Sequence, residues 1–318
     1  MYEFLKRLVV TILTWEARLV LAKQKPTIIA ITGSVGKTTT KDAVYAAISG
    51  DLHVRKSAKS FNSDVGVPLT ILGLENAWNS PVGWFLNMVR GIGVVFQRAG
   101  YPKYLVLEVG ADRPGDIRRI SKWLRPDIAI ITGVPDMPVH VEYFTSPDEL
   151  FREKKALADN LKPGGTLIIN GDEPRTRSLH SSFKGTSVSY GLEPDCDFAA
   201  SHDSILYEGE KPLGVQFRIQ HSGSSLPIAV YGALGKPRVY AATAAIAVAK
   251  VIGVDLISAS KGLADWAPPP GRVRIIPGLK GSVIIDDTYN SSPAAALAAL
   301  DTLKEIKGRR KIAVMGDM

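Results

Sequence analysis

The glycine-rich segment at residues 33–38 constrains the fold of this chain more than any other feature. It reads Gly-Ser-Val-Gly-Lys-Thr, and a β-prone run at 28–31 leads into it. A strand, a glycine turn and a helix beginning at Lys-Thr form, in that order, a phosphate-binding loop. Backbone N–H groups of such a loop approach a polyphosphate, Lys37 reaches its β- and γ-phosphates, and the Thr38 hydroxyl ligates Mg²⁺. The sequence therefore favours a nucleoside triphosphate site over a glycine turn without a ligand.

Apolar, strand-like runs alternate with helical stretches through the first half of the chain. The predicted strands are 27–32, 104–109, 127–132 and 166–170. Continuous apolar runs are typical of parallel strands that are buried on both faces. From 187 to 230 the pattern changes to shorter strand-like pieces with turns. The predicted fold class is α/β: a phosphate-loop, mostly parallel sheet flanked by helices.

A proline-rich break at 268–271 marks a domain boundary. Beyond it the pattern predicts a strand at 282–287, a helix at 293–306 and a strand at 311–315, the start of a Rossmann-like C-terminal α/β domain. A unit of this size cannot bury a sheet alone. It either packs entirely on the first domain or belongs to a longer chain, and we expect the second. The expected organisation is an N-terminal amphipathic helix, a central nucleotide-binding domain and an incomplete C-terminal domain, at residues 1–25, 26–270 and 271–318.

Two apolar stretches, 2–22 and 82–97, lie outside the strand–helix alternation. Charged residues interrupt the first at helical spacing, which predicts an amphipathic helix rather than a membrane span. The second has only Asn87 and Arg90 as strongly polar residues, so we expect a buried or interface helix. Helix 2–22 packs either on its own domain alone or also against a membrane or partner. Our hypothesis is that the two stretches pack together and form a substrate-side or membrane-facing surface.

The net charge of the chain is +8, which suits acidic ligands such as nucleotides. The sequence has no run of Lys and Arg, no RNA-binding signature and no zinc-finger spacing, so we expect no nucleic-acid partner. Its single cysteine, Cys196, precludes an internal disulfide and a cysteine metal cluster. A reducing, cytoplasmic location is the natural interpretation.

Several ionisable residues follow the predicted strands, at the sheet edge where α/β proteins bind ligands. Glu108 ends an apolar strand and could hold Mg²⁺, although a solvated glutamate is the alternative. His140 alone is more often structural, and Lys154 alone reads as part of a charged helix face. Asp286 and Asp287 follow another apolar strand, where paired carboxylates bind ribose or a metal, or simply form a turn.

Taken in this order, these pieces resemble the Mur ligase family, the ATP-dependent amide-forming enzymes of peptidoglycan precursor synthesis. The resemblance runs from Thr27 to Met318. The segments that carry it are Phe-Asn-Ser-Asp-Val-Gly-Val-Pro-Leu-Thr at 61–70, Leu-Glu-Val-Gly-Ala at 107–111, Asn-Gly-Asp-Glu-Pro at 170–174, Pro-Gly-Arg at 270–272, Asp-Asp-Thr-Tyr-Asn-Ser-Ser-Pro at 286–293 and Val-Met-Gly-Asp-Met at 314–318. Each segment is weak alone, but together and in register they are specific.

The resemblance implies a nucleotide site and two Mg²⁺ ions. The loop residues that would hold ATP are Gly33, Ser34, Val35, Gly36, Lys37, Thr38 and Thr39. Further contacts would come from Asn170 at the adenine, Arg272 at the phosphates, Asp287 at the ribose, and Asn290. The first Mg²⁺ would be bound by Thr38 and Glu108, and the second by His140 and Lys154.

The resemblance also implies catalytic roles for Lys37, His140 and Lys154. Lys154 lies where the family carbamylates a lysine, which turns a cation into an anionic metal ligand. The implied reaction activates a peptide carboxylate as an acyl phosphate with ATP, and the amine of a dipeptide then attacks. Within the family, the segments favour the member that adds D-alanyl-D-alanine to a UDP-N-acetylmuramoyl-tripeptide. Asn62 would lie on the side of the UDP-linked substrate.

The sequence departs from the family in three places. Only about 26 residues precede the loop strand, where related ligases carry a whole UDP-binding domain. The family's Gly-x-His-Asn-x-x-Asn segment reads Gly-Lys-Pro-Arg-Val-Tyr-Ala at 235–241. The C-terminal domain stops after its predicted β-α-β.

These departures keep other functions open. The first alternative is a degenerate, non-catalytic nucleotide-binding protein. Retention of the candidate site residues argues against it. The second is a family ligase for another amino-acid acceptor, including folyl-polyglutamate-type chemistry. A partitioning or switch ATPase is the least favoured, because such proteins carry an additional lysine early in the loop.

Overall fold

A nine-stranded sheet forms the body of the protein. The computed structural model describes residues 2–58, 60–134 and 143–316. The strands of the sheet are β1 (Thr27–Thr32), β2 (Val54–Lys56), β3 (Tyr104–Glu108), β4 (Ile128–Ile131), β5 (Thr166–Asn170), β6 (Thr186–Gly191), β7 (Phe198–Glu208), β8 (Lys211–His221) and β9 (Ser224–Tyr231). Their order is β2-β3-β1-β4-β5-β6-β7-β8-β9, parallel through β7 and antiparallel thereafter. The predicted fold class is thus confirmed.

Helices cover both faces of this sheet. They are α1 (Tyr2–Gln24), α2 (Lys37–Ile48), α3 (Gly66–Leu72), α4 (Pro81–Phe96), α5 (Asp116–Leu124), α6 (Pro147–Asp159), α7 (Pro174–Ser182), α8 (Lys236–Ile252), α9 (Leu256–Ala264) and α10 (Pro293–Glu305). Side chains of a strand alternate between faces. Ile29 and Ile31 of β1 accordingly pack in the cluster with α2, α8 and α9, whereas Ile28 and Ala30 pack with α1, α3 and α5. The apolar residues of β1 therefore pack into the hydrophobic cores on both faces of the sheet.

The segment between 187 and 230 differs from its prediction. Instead of short pieces it forms long strands, and β7 and β8 each have 11 residues. Along β8, buried Val215, Phe217 and Ile219 alternate with exposed polar residues. Because one face of these strands is open to solvent, the apolar run is broken at every second residue. The sequence therefore predicted short pieces where the structure has long, continuous strands.

The C-terminal residues also differ from the predicted parallel β-α-β unit. Strand β10 (Arg274–Pro277) pairs antiparallel with β11 (Val283–Asp286), and α10 follows. The strand predicted at 311–315 is absent, since residues 311–316 have no regular secondary structure. Ile312 and Val314 are 60% and 94% exposed, so this segment lacks the packed neighbours that stabilise a strand.

The two apolar stretches outside the sheet pack on each other as helices α1 and α4. Lys23 Nζ donates to the Val95 carbonyl at 2.9 Å, and Gln24 Nε2 donates to the Gln97 carbonyl at 2.8 Å. Helix α4 is not buried in the sheet core, because most of its apolar side chains face solvent. The described part of the chain holds no helix with the length and apolar character that a bilayer-crossing segment requires.

A buried carboxylate lies at this helix pair. Glu16 of α1 is fully buried, and a Cβ added at Gly91 of α4 would lie 1.9 Å from Glu16 Oε2, so a side chain there would displace this carboxylate. Among the described residues, neither carboxylate oxygen has a hydrogen-bond partner. Desolvation raises the pKa of Glu16 to about 7. The ionised form therefore destabilises the pair of helices.

This burial predicts a pH-dependent effect of Glu16→Gln. The folded pKa lies above the unfolded value, so the folded state holds the extra proton between pH 4.5 and about 7 and loses stability as the pH rises through that window. We expect Glu16→Gln to match the parent chain at pH 5 and to be more stable by on the order of 2 kcal/mol at pH 8. Thermal denaturation at both pH values measures this. An equal difference at both would show that Glu16 does not titrate there.

Candidate active site

The phosphate loop lies at the carboxyl edge of the sheet, between β1 and the first turn of α2. Gly33 and Gly36 adopt φ of 146° and 79°, which side chains rarely tolerate. The Ser34 N–H donates to the Gly133 carbonyl at 2.8 Å, and Thr132 Oγ1 donates to the Val35 carbonyl at 2.6 Å. The end of the neighbouring strand β4 therefore holds the loop in its curved form.

Gly33→Ala tests this close packing. A Cβ at Gly33 would lie 2.0 Å from Thr132 Oγ1, and the backbone would be strained. We expect a loss of about 2 kcal/mol of stability and at least a tenfold loss of nucleotide affinity, since the loop must shift. Thermal denaturation and calorimetric titration with Mg-ATP measure the two effects. Gly50→Ala is the matched control, because a Cβ there meets nothing within 4 Å; equal behaviour of the two variants would contradict the prediction.

Lys37 folds back over its own loop. Its Nζ donates to the Gly33 carbonyl at 2.8 Å and to the Ser34 carbonyl at 3.4 Å. Burial lowers the pKa of Lys37, and the Glu108 carboxylate opposes this effect while Arg272 adds to it. An anionic ligand at the loop would favour the charged ammonium. Lys37 is therefore held ready at the position that a polyphosphate would occupy.

Thr38 and Glu108 form a polar pair beside this lysine. Thr38 Oγ1 donates to Glu108 Oε2 at 3.0 Å, and Asn62 Nδ2 donates to Glu108 Oε1 at 3.1 Å. Glu108 pairs with Ile31 of β1 and is 1% exposed, so the parallel register of the sheet brings its carboxylate to the loop. A hydroxyl and a carboxylate fit Mg²⁺, which typically takes one or two carboxylates together with phosphate oxygens and water.

Lys154 is buried on the next helix along the sheet edge. Helix α6 begins where the Ser146 side chain accepts the Glu149 N–H and Pro147 fixes the first turn. Glu153 points to α5 and accepts the N–H groups of Gly115 and Ile117 at 2.9 and 2.7 Å. This contact fixes the orientation of α6. Lys154 itself is 2% exposed.

Burial gives the Lys154 amine an unusual protonation behaviour. Desolvation, followed by repulsion from Lys37, lowers its pKa to about 7. A large fraction is therefore the neutral, nucleophilic amine near neutral pH. Its sequence-predicted companion, His140, lies outside the described residues. Within the described ranges, no group of three or more His, Cys, Asp and Glu residues is placed to hold a metal by itself.

Asn170 ends β5 next to a polar network. It is 7% exposed, and its Oδ1 accepts the Asp172 N–H at 3.0 Å. The Asp172 carboxylate accepts the Tyr240 hydroxyl at 2.7 Å and the Leu192 N–H at 2.7 Å. A cavity of about 730 Å³ opens beside this strand end, with Glu173 among its lining residues. It has the size of a small-molecule site.

The C-terminal hairpin, formed by β10 and β11, reaches the phosphate loop through Tyr289 in the segment that follows β11. The Tyr289 hydroxyl lies 2.9 Å from Ser60 Oγ, which lies 3.4 Å from Thr38 Oγ1. The Arg272 guanidinium stacks on the Tyr289 ring at 4.2 Å. Arg272 is also close enough to lower the Lys37 pKa. The structure thus brings Arg272 to the same site as Lys37, Thr38 and Glu108.

The acidic residues of the hairpin behave differently from one another. Asp286 forms a turn, since it accepts the Gly271 N–H and the Thr288 N–H and hydroxyl. Asp287 accepts the Val273 N–H at 3.2 Å, and burial raises its pKa. Asn290 Oδ1 accepts the adjacent Ser291 N–H at 2.9 Å. All three lie on the segment that carries Tyr289.

Sequence reasoning missed Ser60, Tyr289, Tyr240 and Arg238 as parts of this region. Arg238 lies in the segment at 235–241 that departs from the family pattern, and it is 1% exposed. Its guanidinium stacks on the Trp266 ring at 4.3 Å and donates to the Arg272 carbonyl at 3.2 Å. The sequence shows an arginine in an alanine-rich helix, but not that it is buried. Ser60 and Tyr289 are 229 residues apart, and no local pattern indicates that they meet.

Comparisons with known proteins identify the family of this chain. The profile of the Mur ligase middle domain matches residues 86–249. A relative from Bacillus subtilis (strain 168), named UDP-N-acetylmuramoyl-tripeptide--D-alanyl-D-alanine ligase, is 30% identical over 292 residues, which are 92% of this chain and 56% of the relative. The chain thus spans little more than half the length of that relative.

Solved structures also superpose on this chain. MurF from Acinetobacter baumannii superposes with a TM-score of 0.77 at 25% identity, covering 94% of this chain and 59% of that one. MurF ligase from Thermotoga maritima in complex with ADP superposes with a TM-score of 0.76 at 26% identity, covering 94% and 62%. With a phosphate loop, a family profile over half of its length and these relatives, the chain belongs to the Mur ligase family.

Proposed function

We propose that this protein is an ATP-dependent ligase that joins D-alanyl-D-alanine to a UDP-N-acetylmuramoyl-tripeptide during peptidoglycan precursor synthesis. The observation that carries the proposal is the grouping of Lys37, Thr38, Glu108 and Lys154 at the phosphate loop. The names of the relatives from Bacillus subtilis and Escherichia coli specify this reaction rather than another acceptor. Because these substrates and ATP are cytoplasmic, the proposed reaction takes place in the cytoplasm.

The chain's own residues would bring two anions together. The loop, formed by Gly33, Ser34, Val35, Gly36 and Thr39 around Lys37 and Thr38, would cradle the phosphates of ATP. Lys37 would leave its loop carbonyls and neutralise the β- and γ-phosphates while the peptide carboxylate attacks the γ-phosphorus, which forms an acyl phosphate and releases ADP. The dipeptide amine would then displace phosphate from the acyl phosphate and form the amide. Mg²⁺ bound by Thr38 and Glu108 would supply charge neutralisation at the transferred group.

Lys154 and His140 would hold a second Mg²⁺. An ammonium cannot ligate a cation, so this role requires Lys154 to be carbamylated. Its pKa of about 7 supports the proposal, because only the neutral amine adds to CO₂, with loss of a proton. Position 154 is also closed to solvent, which protects a carbamate from hydrolysis.

The remaining contacts would orient the nucleotide and the substrate. Asn170 and the cavity beside it would take the adenine, and Asp287 with Asn290 the ribose. Arg272 would contact the phosphates, since it already lies within electrostatic reach of Lys37. Asn62, which holds Glu108 at 3.1 Å, would lie between the metal and the UDP-linked substrate. Residues 26–270 would form the nucleotide-binding domain, and residues from 271 onward would belong to the domain that closes over it.

A phosphate-release assay tests this function. Protein expressed from the complete source reading frame is mixed with Mg-ATP, the UDP-linked tripeptide and D-alanyl-D-alanine. We expect phosphate and the pentapeptide product in equal amounts, and neither when one substrate is omitted. Replacing D-alanyl-D-alanine by single amino acids, or the UDP-linked tripeptide and the dipeptide by a folate and glutamate, examines other substrates. Activity only with such a substitute would refute the proposed acceptor.

A non-catalytic nucleotide-binding role is the second candidate. The observation that favours it is Arg238, which stands where family members carry an asparagine and packs on Trp266. Under this alternative, calorimetry detects nucleotide binding while no substrate combination releases phosphate. The presence of Lys37, Glu108 and Lys154 in one site favours catalysis instead.

A further inference from the structure

The solvent-facing side of α4 is apolar along its whole length. Ser80 caps the helix by accepting the Gly83 N–H, and Pro81 sets its first turn. Exposed apolar side chains then recur at three- and four-residue spacing, which places them on one stripe. The members of this stripe are Val82, Phe85, Leu86, Val89, Ile92 and Phe96, which are 43–72% exposed. Helices of soluble proteins normally show the opposite pattern.

Helix α1 extends this apolar surface. Its side chains at 5–8 are all exposed, so the start of the helix projects from the body, and it carries Leu5 and Leu8. Trp15, two turns further on, is 58% exposed, and Trp78 before α4 is 70% exposed. We call this surface, made by the α4 stripe with Leu5, Leu8, Trp15 and Trp78, the apolar face. Exposed apolar side chains concentrated on two helices that pack on each other mark an interaction site.

Basic residues lie on or beside the two helices that form the apolar face. Those exposed to solvent are Lys6, Arg7, Arg18, Lys23, Lys25, Arg90 and Arg98. Helix α4 contains no acidic residue, and the acidic residues of α1 are Glu3 near its start and the buried Glu16. Glu75 is an exposed carboxylate on the segment leading to α4. The surface therefore combines aromatic and aliphatic side chains with an excess of positive charge, as helices that lie in the headgroup region of a bilayer do.

The position of the apolar face leaves the nucleotide site open. Gln24 and Gln97 bond at the C-terminal ends of α1 and α4, three residues before β1 begins. The phosphate loop follows the other end of β1. Docking through the apolar face therefore needs no rearrangement of the loop.

We propose that the apolar face docks this protein on a membrane surface that contains anionic lipids. At about 1.5 Å per residue, the 16 residues of α4 extend for about 24 Å and lie in the plane of the surface rather than across it. Charge complementarity favours lipid over a second copy of the chain, because two-fold pairing of α4 would bring Arg90 and its neighbours together with their own copies. This inference is independent of the proposed catalytic reaction.

Vesicle co-sedimentation tests the proposal. The full chain is mixed with phosphatidylcholine vesicles that contain about one third phosphatidylglycerol, and with vesicles of phosphatidylcholine alone. We expect binding to the anionic vesicles, weaker binding to the neutral ones and a blue shift of tryptophan fluorescence from Trp15 and Trp78. Equal binding to both compositions, or no binding, would overturn the proposal.

Surface variants locate the contact. Phe85→Ser with Val89→Ser changes two exposed residues, so the fold stays intact, and should weaken vesicle binding at least about tenfold. Arg90→Gln should weaken it about fivefold. Leu279→Ser and Ile257→Ser are matched controls, because these side chains are 89% and 60% exposed elsewhere on the chain.

Two results would contradict this assignment. Loss of binding in the controls equal to that of the double variant would show non-specific adhesion. A concentration-dependent dimer by light scattering that the double variant abolishes, without vesicle binding by the parent chain, would assign the apolar face to self-association instead.

Discussion

Lys37→Met is expected to lower the rate of ATP-dependent phosphate release by about 10³-fold or more. The methionine keeps the length of the side chain and removes the charge. Two anions, the triphosphate and the peptide carboxylate, would then meet without the cation that the loop presents. Lys37 bonds to the Gly33 carbonyl at 2.8 Å, so its charge lies at the loop and needs only a side-chain movement to reach the phosphates. The loss should therefore fall mainly on kcat.

A control variant and a stability measurement test whether the loss of activity is specific to Lys37. Lys250→Met removes an exposed lysine from α8 and should leave kcat and KM unchanged. Thermal denaturation should show Lys37→Met to be at least as stable as the parent chain, since burial disfavours the ammonium. Retention of a tenth or more of the activity in Lys37→Met would remove this lysine from the proposed chemistry.

Lys154→Ala is expected to lower activity by about 10²- to 10³-fold, with partial recovery in added formate or acetate. A small carboxylate entering the space left by the side chain supplies the oxygen ligand that the carbamate would provide. Lys155→Ala is the matched control. Lys155 is the next residue on α6 and forms a surface ion pair with Asp159 at 2.5 Å, so its removal should leave activity unchanged. Full activity in Lys154→Ala would refute the assigned role.

The stability of the Lys154 site gives a readout that does not depend on activity. Its folded pKa of about 7 lies below the unfolded value, so protonation in the folded state is costly below pH 7, and that cost disappears as the pH rises toward 10.5. Lys154→Met should therefore gain most stability relative to the parent chain near pH 6 and least near pH 9. Denaturant titrations at the two pH values measure this difference. An equal gain at both would show that the amine is not desolvated.

Local sequence patterns predicted the elements that contact the phosphates. The run before Gly33 gave β1 with the bounds Thr27–Thr32, because strand and loop are both encoded by neighbouring residues. The same holds for Glu108 at the end of β3. The pattern failed for 311–315, because the apolar residues there have no packed partner among the described residues. It also failed for β7 and β8, because polar residues on their solvent-facing side interrupt the apolar run.

Such local patterns could not predict contacts between segments that are distant in the sequence. The bond between Asn62 and Glu108 joins residues 46 apart, and the burial that lowers the Lys154 pKa arises only when α6 packs in the folded chain. Likewise, nothing in the residues around 238 indicates that Arg238 would stack on Trp266 and hold the Arg272 carbonyl. The sequence thus indicated which residue types carry the chemistry, whereas the protonation of Lys154 required the folded arrangement.

The bond from Tyr289 to Ser60 places the C-terminal hairpin and the phosphate loop in one thermodynamic cycle. Ser60 lies beside Thr38, so a ligand at Thr38 changes the environment of the hairpin contact. By reciprocity, the factor by which nucleotide strengthens the attachment of the hairpin equals the factor by which attachment strengthens nucleotide binding. Tyr289→Phe removes the hydroxyl alone and should reduce both factors equally. The affinity of the site for nucleotide is thus partly set 229 residues away from Ser60.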